Sequence, residues 1–533
     1  DGTFSALIRT WGMLSKVWSA AVCGVEGFLV GVELDMAPGL PSFTTVGLPD
    51  SSVREARERV VSALRNSEYE FPSRRVTVNL SPAQLRKGGT HFDLPIALGT
   101  LAASGQLPAQ ARPGEVCALG ELALDGSVRP VSGVLAMADT ARRAGLKELI
   151  VPRGNAREAA AIEGLSVFGV ASLREAAGLL QGEAPAAGLS AAGTAREENG
   201  LRAAPAPWDQ EVLEPGEEGE GEDLGDVRGQ ELARRALEIA AAGGHSLLMV
   251  GPPGSGKSML ARRLPGILPP LSIEESVEVT RIHSVCALLP PGSSLLRARP
   301  VRAPHHTATP AALIGGGARS RPGEATLAHR GVLFMDELPE FSREALEALR
   351  QPLEDRRVSV TRLRETVVYP ADFTWVAAMN PCPCGYLGHP TRPCACRESD
   401  IRRYRRKLSG PLLDRLDMQV EVAALPFKEW AFGAQGERSR AVRERVVSAR
   451  AFARGRPGTN ARLPSPRLKE ECRLDAACLS LAESAAARFS LSARSLDRLL
   501  RVSRTIADLE RSAAVKKMHL AEAMGYLGKW DLS

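Results

Sequence analysis

The chain has 533 residues, 44% of them hydrophobic and 24% charged, enough for several domains with sizeable cores, which excludes a wholly disordered protein and any need for a disulfide framework. Lysine and arginine exceed aspartate and glutamate by a formal +6, a mild basic excess that permits an anionic partner without requiring one. No run of about 18 apolar residues is free of charge, Gly or Pro, so no membrane-spanning helix is expected and the cytoplasm is the expected location.

In chain order, residues 1–12 read as an upstream segment, with Met13 a candidate initiator. The apolar stretch Leu14–Val32 is interrupted by Lys16 and Glu26 and lacks the layout of a signal peptide. Short β-like runs, Phe28–Leu34 and Arg75–Leu80, then mix with helical segments. Ser52–Leu64 places Val53, Ala56, Val60 and Leu64 on one helical face, Phe92–Leu101 reads as a buried helix, and Val134–Ala144 and Leu149–Val151 as a helix and a strand. Residues 13–180 are therefore expected to form an α/β domain. Residues 181–224 are rich in Ala, Gly, Pro and Glu, with seven acidic residues from Glu211 to Asp223, and read as a flexible acidic linker. An ATPase-type core is expected over 225–425, opened by a helix at Leu232–Ala242, and a helical lid over 426–533.

Gly251, Pro252, Pro253, Gly254, Ser255, Gly256, Lys257 and Ser258 complete a phosphate-loop pattern between the apolar strand Ser246–Val250 and an amphipathic helix. The glycines let successive N–H groups turn inward on a phosphate, Lys257 reaches the β and γ phosphates, and the Ser258 hydroxyl is a magnesium ligand. ATP and magnesium are the expected cofactors. Gly331–Met335 is a buried strand ending in Asp336, which orients the magnesium shell, and Glu337, the better general base for an attacking water. Thr374–Met379 ends in Asn380, a candidate to hold that water or the γ-phosphate. Three such strands fit a parallel sheet with its site at the carboxyl edge.

Cys382-x-Cys384 and Cys394-x-Cys396 enclose nine residues rich in Gly and Pro, an insertion at 382–396 whose four soft ligands suit a tetrahedral zinc ion, with His389 an alternative ligand. Arg357–Arg362 and Thr366–Tyr369 read as a hairpin with Arg362 and Arg364 near its tip, suited to phosphate contacts or a solvated edge. Ile401–Lys407 gathers Arg402, Arg403 and Arg405 around Tyr404; it binds DNA, with Tyr404 stacking on a strand, or faces the acidic linker or an adjoining subunit. His305 and His306 show no ligand spacing and read as a turn or packing.

The segments GHSLLMVGPPGSGKS, APHHTATPAALIGGG, GVLFMDELPEF and VAAMNPCPCGYLGHP, with VGLPDSSVREARERV, FPSRRVTVNLSPAQLRKGG and FDLPIALG upstream, resemble the magnesium-chelatase-like (YifB/ComM) subfamily of AAA+ ATPases over residues 13–525. The resemblance implies a hexameric, ATP-driven motor on single-stranded and branched DNA, promoting branch migration in recombination and natural transformation beside recombination proteins. It also implies Walker A at Gly251–Ser258, Walker B at Asp336 and Glu337, sensor 1 at Asn380, an arginine finger at Arg415, and sensor 2 at Arg494 with Arg498 as competitor. For the amino-terminal domain it implies a Lon-protease-like (ribosomal S5 domain 2-like) fold. Val131–Asp139 there contains no lysine, and Thr90 and His91 stand where the serine is expected, so peptidase activity is not expected. The alternatives are a chelatase-type motor driving metal insertion and a nucleotide-gated interaction protein without helicase activity.

Overall fold

The computed structural model describes residues 13–108, 110–182, 222–290, 292–316, 321–362, 365–456 and 458–527. The expected upstream segment, residues 183–221 of the expected linker, and Arg364 lie outside them. Among the described residues, 13–182 and 276–296 form one compact unit, and 222–275 and 297–527 form another.

In the first unit the apolar stretch near the start folds as a hairpin, Met13–Cys23 antiparallel to Glu26–Ala37. Lys16 stands directly across from Glu33, so a charge that interrupts the apolar run serves as one half of a cross-strand pair. Alternation carries Val30, Val32 and Leu34 inward. The seven-stranded sheet runs in the order Ser42–Val46, Arg75–Ser81, Glu26–Ala37, Met13–Cys23, Val116–Ala118, Glu148–Pro152, Ser166–Val170. The helix expected over Ser52–Leu64 is two pieces: Ser51–Arg54, capped by the Asp50 carboxylate, and Ala56–Asn66. Helix Asp93–Ala103 is buried almost throughout. Residues 276–296, expected within the 225–425 core, pack in this unit instead. Arg281 pairs with Asp139 at 2.9 Å, the Ser284 hydroxyl donates to Glu158, and Leu295 joins the apolar cluster of Leu149 and Val151.

The second unit is built on a five-stranded parallel sheet in the order Val301–Arg302, Val332–Met335, Thr374–Met379, Leu247–Val250, Met418–Glu421. Leu247–Val250 and Val332–Met335 are apolar at every position, and Thr374–Met379 at all but its first, because both faces are covered. Leu247, Met249, Val332, Phe334, Val376 and Ala378 enter one core, whereas Leu248, Val250, Leu333, Met335, Ala377 and Met379 enter the other, the period-two split of a buried strand. Helix Ala493–Leu509 meets the first core with Leu499, Val502 and Ile506, spaced to share one face. It also buries Arg504 against Asp508, whose carboxylate takes a further bond from Asn460 at 2.6 Å and an ion pair from Arg456. No helix among the described residues is long and apolar enough to cross a membrane.

Candidate active site

Val250 lies beside Met379, and Met335 beside Ala377, so Gly251, Asp336 and Asn380 emerge together at the carboxyl edge of the sheet. Gly251 turns sharply there; its N–H donates to the Met379 carbonyl, and a Cβ at this position would stand 2.1 Å from the Val422 oxygen. Gly256, at φ +93°, caps the start of helix Lys257–Ile267 in a conformation few other residues adopt. The first N–H groups of this helix have no intrahelical acceptors and face the loop, as an anion site requires.

Lys257 is buried, and its Nζ donates to the carbonyls of Gly251 at 2.7 Å and Pro252 at 2.9 Å and to Asn380 Oδ1 at 3.2 Å. Burial lowers its pKa, while Asp336 and Glu337 oppose that shift. Ser255 Oγ is buried in the loop without a hydrogen-bond partner, a polar atom that a bound phosphate would satisfy. The Ser258 hydroxyl donates to Asp336, and Asp336 also accepts from the Glu337 N–H at 2.9 Å. A hydroxyl and a carboxylate oxygen beside a phosphate cradle are the hard, sparse donor set that suits magnesium. Glu337 sits at φ +51°, a left-handed conformation costing about 1 kcal/mol, and its half-exposed carboxylate lies 3.5 Å from His306 Nδ1. By local sequence His306 reads as a turn or packing residue. Its place beside Glu337 follows from pairing of the Val301–Arg302 and Val332–Met335 strands, which local spacing does not show.

Arg415 and Arg494 stand at the opposite, amino edge. Both line a 920 Å³ cavity, along with Ser246, Gly331, Phe373 and Asp417, the residues just ahead of four parallel strands. A four-residue strand is about 13 Å long, so neither arginine belongs to the phosphate cradle of its own chain. Arg415 is held by Glu354 at 2.7 Å. Arg498 is occupied by the carbonyls of Leu413 and Leu416, on either side of the Asp414–Arg415 turn, whereas Arg494 is exposed at the cavity. The cavity wall is rich in arginines and carboxylates, among them the ion pair of Arg462 with Asp372; burial foremost, then the like charges of Arg356 and Arg330, brings Arg462 down to about 9.

The basic segment after the cysteines is helix Glu398–Arg405, and its periodicity corrects two expectations. Tyr404 is 7% exposed and packs in the core beneath the helix, where burial raises its phenol pKa, so it is not available to stack on a base. Arg405 turns inward as well and donates to the Pro381 carbonyl. Arg402 and Arg403 point outward and, with Arg343, Arg406 and Lys407, line an 840 Å³ groove. Arg362 ends the first strand of the expected hairpin, Arg357–Arg362 paired with Glu365–Pro370.

The four cysteines converge, every Sγ within 4.8 Å of the others. His389 is not among them; its Nδ1 accepts from the Thr391 and Arg392 N–H groups. Backbone N–H groups, Tyr386 foremost, stabilise the Cys384 thiolate and bring its pKa to about 6.

A phosphate loop, an acidic pair and an amide side chain on adjacent parallel strands define a P-loop ATPase core. Comparison with known proteins narrows this. Family profiles described as magnesium chelatase, subunit ChlI, match residues 223–430; subunit ChlI of Mg-chelatase, residues 32–155; and the subunit ChlI C-terminal region, residues 436–527. YifB of Escherichia coli K12 is 42% identical over 518 residues, 96% of this chain and 97% of its own, and competence protein ComM of Haemophilus influenzae shows the same identity over the same shares. A Lon protease of Halothermothrix orenii is 29% identical over 139 residues, 25% of this chain and 17% of its own. The chain belongs to the magnesium-chelatase-like AAA+ ATPase family.

Proposed function

We propose that the chain hydrolyses MgATP within a ring, expected to be a hexamer, and uses the hydrolysis to drive branch migration of DNA during recombination and natural transformation. The observation that carries this reading is the division of polar and charged groups between the two edges of one sheet: Lys257, Ser258, Asp336, Glu337 and Asn380 at one, Arg415 and Arg494 at the other. Half a hydrolytic site at each edge becomes a whole site where identical copies meet head to tail, which is the geometry of a ring.

In that site Lys257 exchanges its carbonyl partners for the β and γ phosphates, with the N–H groups that open the following helix. Glu337 takes the proton from the water attacking the γ-phosphorus, and Asn380 orients that water. Magnesium, held by Ser258 and Asp336 when bound, neutralises charge on the phosphate oxygens. Arg415 and Arg494 of the neighbouring copy meet the γ-phosphate, Arg415 leaving Glu354 to do so. The outward face of Arg402 and Arg403, and the hairpin with Arg362 and Arg364, contact DNA phosphates. The first unit acts as a Lon-like domain without peptidase chemistry, the helices after 426 as a lid, and one zinc ion occupies the four cysteines of this cytoplasmic protein.

The chelatase descriptions of the matching profiles favour a second reading, a motor for metal insertion. ATP turnover and branch migration on four-way junctions separate the two. DNA-stimulated turnover with strand exchange supports the first; turnover indifferent to DNA, without exchange, overturns it.

A further inference from the structure

The phosphate loop touches a single stretch of chain at three points. Gly251 N–H donates to the Met379 carbonyl, Lys257 Nζ donates to Asn380 Oδ1, and Gly385 rests on the ring of Pro253. The last contact is close: a Cβ on Gly385 would stand 2.5 Å from Pro253 Cδ and 2.7 Å from Cγ. Gly385 is also at φ +83°, which a side chain disfavours. Its N–H donates to the Cys382 carbonyl, closing a tight turn that carries Cys382 and Cys384. The segment that supports the phosphate loop is therefore the same one that supplies two of the four thiols.

The thiols are placed for an ion. Sγ–Sγ separations are 3.4 Å for Cys382–Cys384 and 3.6 Å for both Cys382–Cys394 and Cys384–Cys394. Four thiolates at about 2.3 Å from a tetrahedral zinc lie about 3.8 Å apart, whereas a disulfide needs about 2.05 Å. Backbone N–H groups point at the sulfurs as well, Cys384 N at Cys396 Sγ (3.3 Å) and Cys396 N at Cys394 Sγ (3.4 Å), the outer hydrogen bonds that offset thiolate charge around a metal. Cys382 is fully buried and the other three are partly so, and gathering four thiolates there is unfavourable unless a cation neutralises them.

We propose that a zinc ion on Cys382, Cys384, Cys394 and Cys396 is the outer support of the phosphate loop, so that its occupancy sets nucleotide affinity through the contact of Gly385 with Pro253. The inference rests on reading Gly251–Ser258 as the ATP site and the cysteines as a zinc site. Ion and nucleotide are then reciprocal ligands: each tightens the other by the same factor.

The test uses the full-length chain, metal analysis and titration with a fluorescent ADP, a readout that needs no hydrolysis. The purified protein should carry one zinc per chain. Stripping it with a chelator under reducing conditions should weaken ADP binding at least about tenfold, and added zinc should restore it. Because Cys394→Ser can unfold the loop outright, Gly385→Ala is the sharper variant: it keeps all four thiols and should keep its zinc, yet bind ADP several-fold more weakly. Bound ADP should slow zinc loss to the chelator in the wild type. Stripped, folded protein that binds ADP as well as the zinc form overturns the coupling and leaves the ATP site standing. Protein that never binds zinc overturns the metal. Zinc-loaded wild type that fails to bind ADP overturns the nucleotide site, and the inference with it.

Discussion

Replacing Arg415 by alanine should abolish turnover while leaving nucleotide binding nearly intact, and the structure sets both magnitudes. Among the described residues the Arg415 side chain is tied to Glu354, at 2.7 Å, and to the Pro411 carbonyl, and while Arg415 is 12% exposed, Glu354 is 54% exposed. Releasing this half-exposed pair costs about 1 kcal/mol, the upper end for surface ion pairs and about fivefold in any equilibrium. An arginine that meets the γ-phosphate in the transition state is worth roughly 1,000-fold or more in kcat, about 4 kcal/mol. The gain exceeds the cost of swinging out, so E354A should change kcat by no more than about fivefold, whereas R415A should lower it by about three orders of magnitude. Mixing R415A with E337Q makes the assignment stricter. A competent interface needs Glu337 from one copy and Arg415 from the next, so random rings from an equal mixture should contain about one such interface in four, whatever the ring size. Steady-state ATPase of the mixture, measured beside each variant alone after verified subunit exchange, should recover to about a quarter of wild type. Hybrid rings with no recovery would refute an arginine acting between subunits.

Other expectations follow from single contacts. K257A removes a buried ammonium aimed at the phosphates and should weaken ATP binding by about 2 kcal/mol, roughly thirtyfold, whereas E337Q should bind normally and turn over at least about 100-fold more slowly; calorimetry and a phosphate-release assay check the pair. Asp508 is 1% exposed and neutralises buried Arg504 together with Arg456, so D508A should destabilise the second unit by about 3–5 kcal/mol in urea melts. In the first unit, burial lowers His91 to about 4 and raises Asp93 to about 6 despite its bond to Arg59. As pH falls from 6.5 towards 4 the unfolded chain binds the imidazole proton that the folded chain refuses, and stability drops; as pH rises from 4 to 6 the folded carboxyl keeps a proton that the unfolded one has lost, and stability drops in that direction. The two slopes oppose each other, so the wild type should be nearly flat between pH 4 and 6, and H91F should leave a stability that declines with rising pH, measured as the urea midpoint of the first unit.

Much of the core was legible because its determinants are contiguous. Eight residues carry the phosphate loop, and the apolar strands ahead of Gly251, Asp336 and Asn380 announce themselves by composition, Thr374–Met379 matching its expected bounds. The pair of C-x-C motifs likewise signals soft ligands within a short stretch. The sequence misleads where a residue's role depends on which way a surface turns. Ile401–Lys407 reads as a uniformly basic segment with an aromatic, yet one helical turn sends Tyr404 and Arg405 inward and leaves Arg402 and Arg403 outside.

The amino-acid sequence by itself determined that this is a P-loop ATPase of the magnesium-chelatase-like family, because phosphate binding needs a fixed local order of small residues, a lysine and a hydroxyl that hydrogen bonding and helix formation bring into place within two turns of chain. Only the tertiary structure decided that Arg415 and Arg494 share a cavity at the edge opposite Lys257, that residues 276–296 pack with the first unit, and that Gly385 bears on Pro253. Those juxtapositions join residues tens to hundreds of positions apart. They are set by which buried faces fit together across the whole sheet, a long-range packing condition that no local pattern encodes.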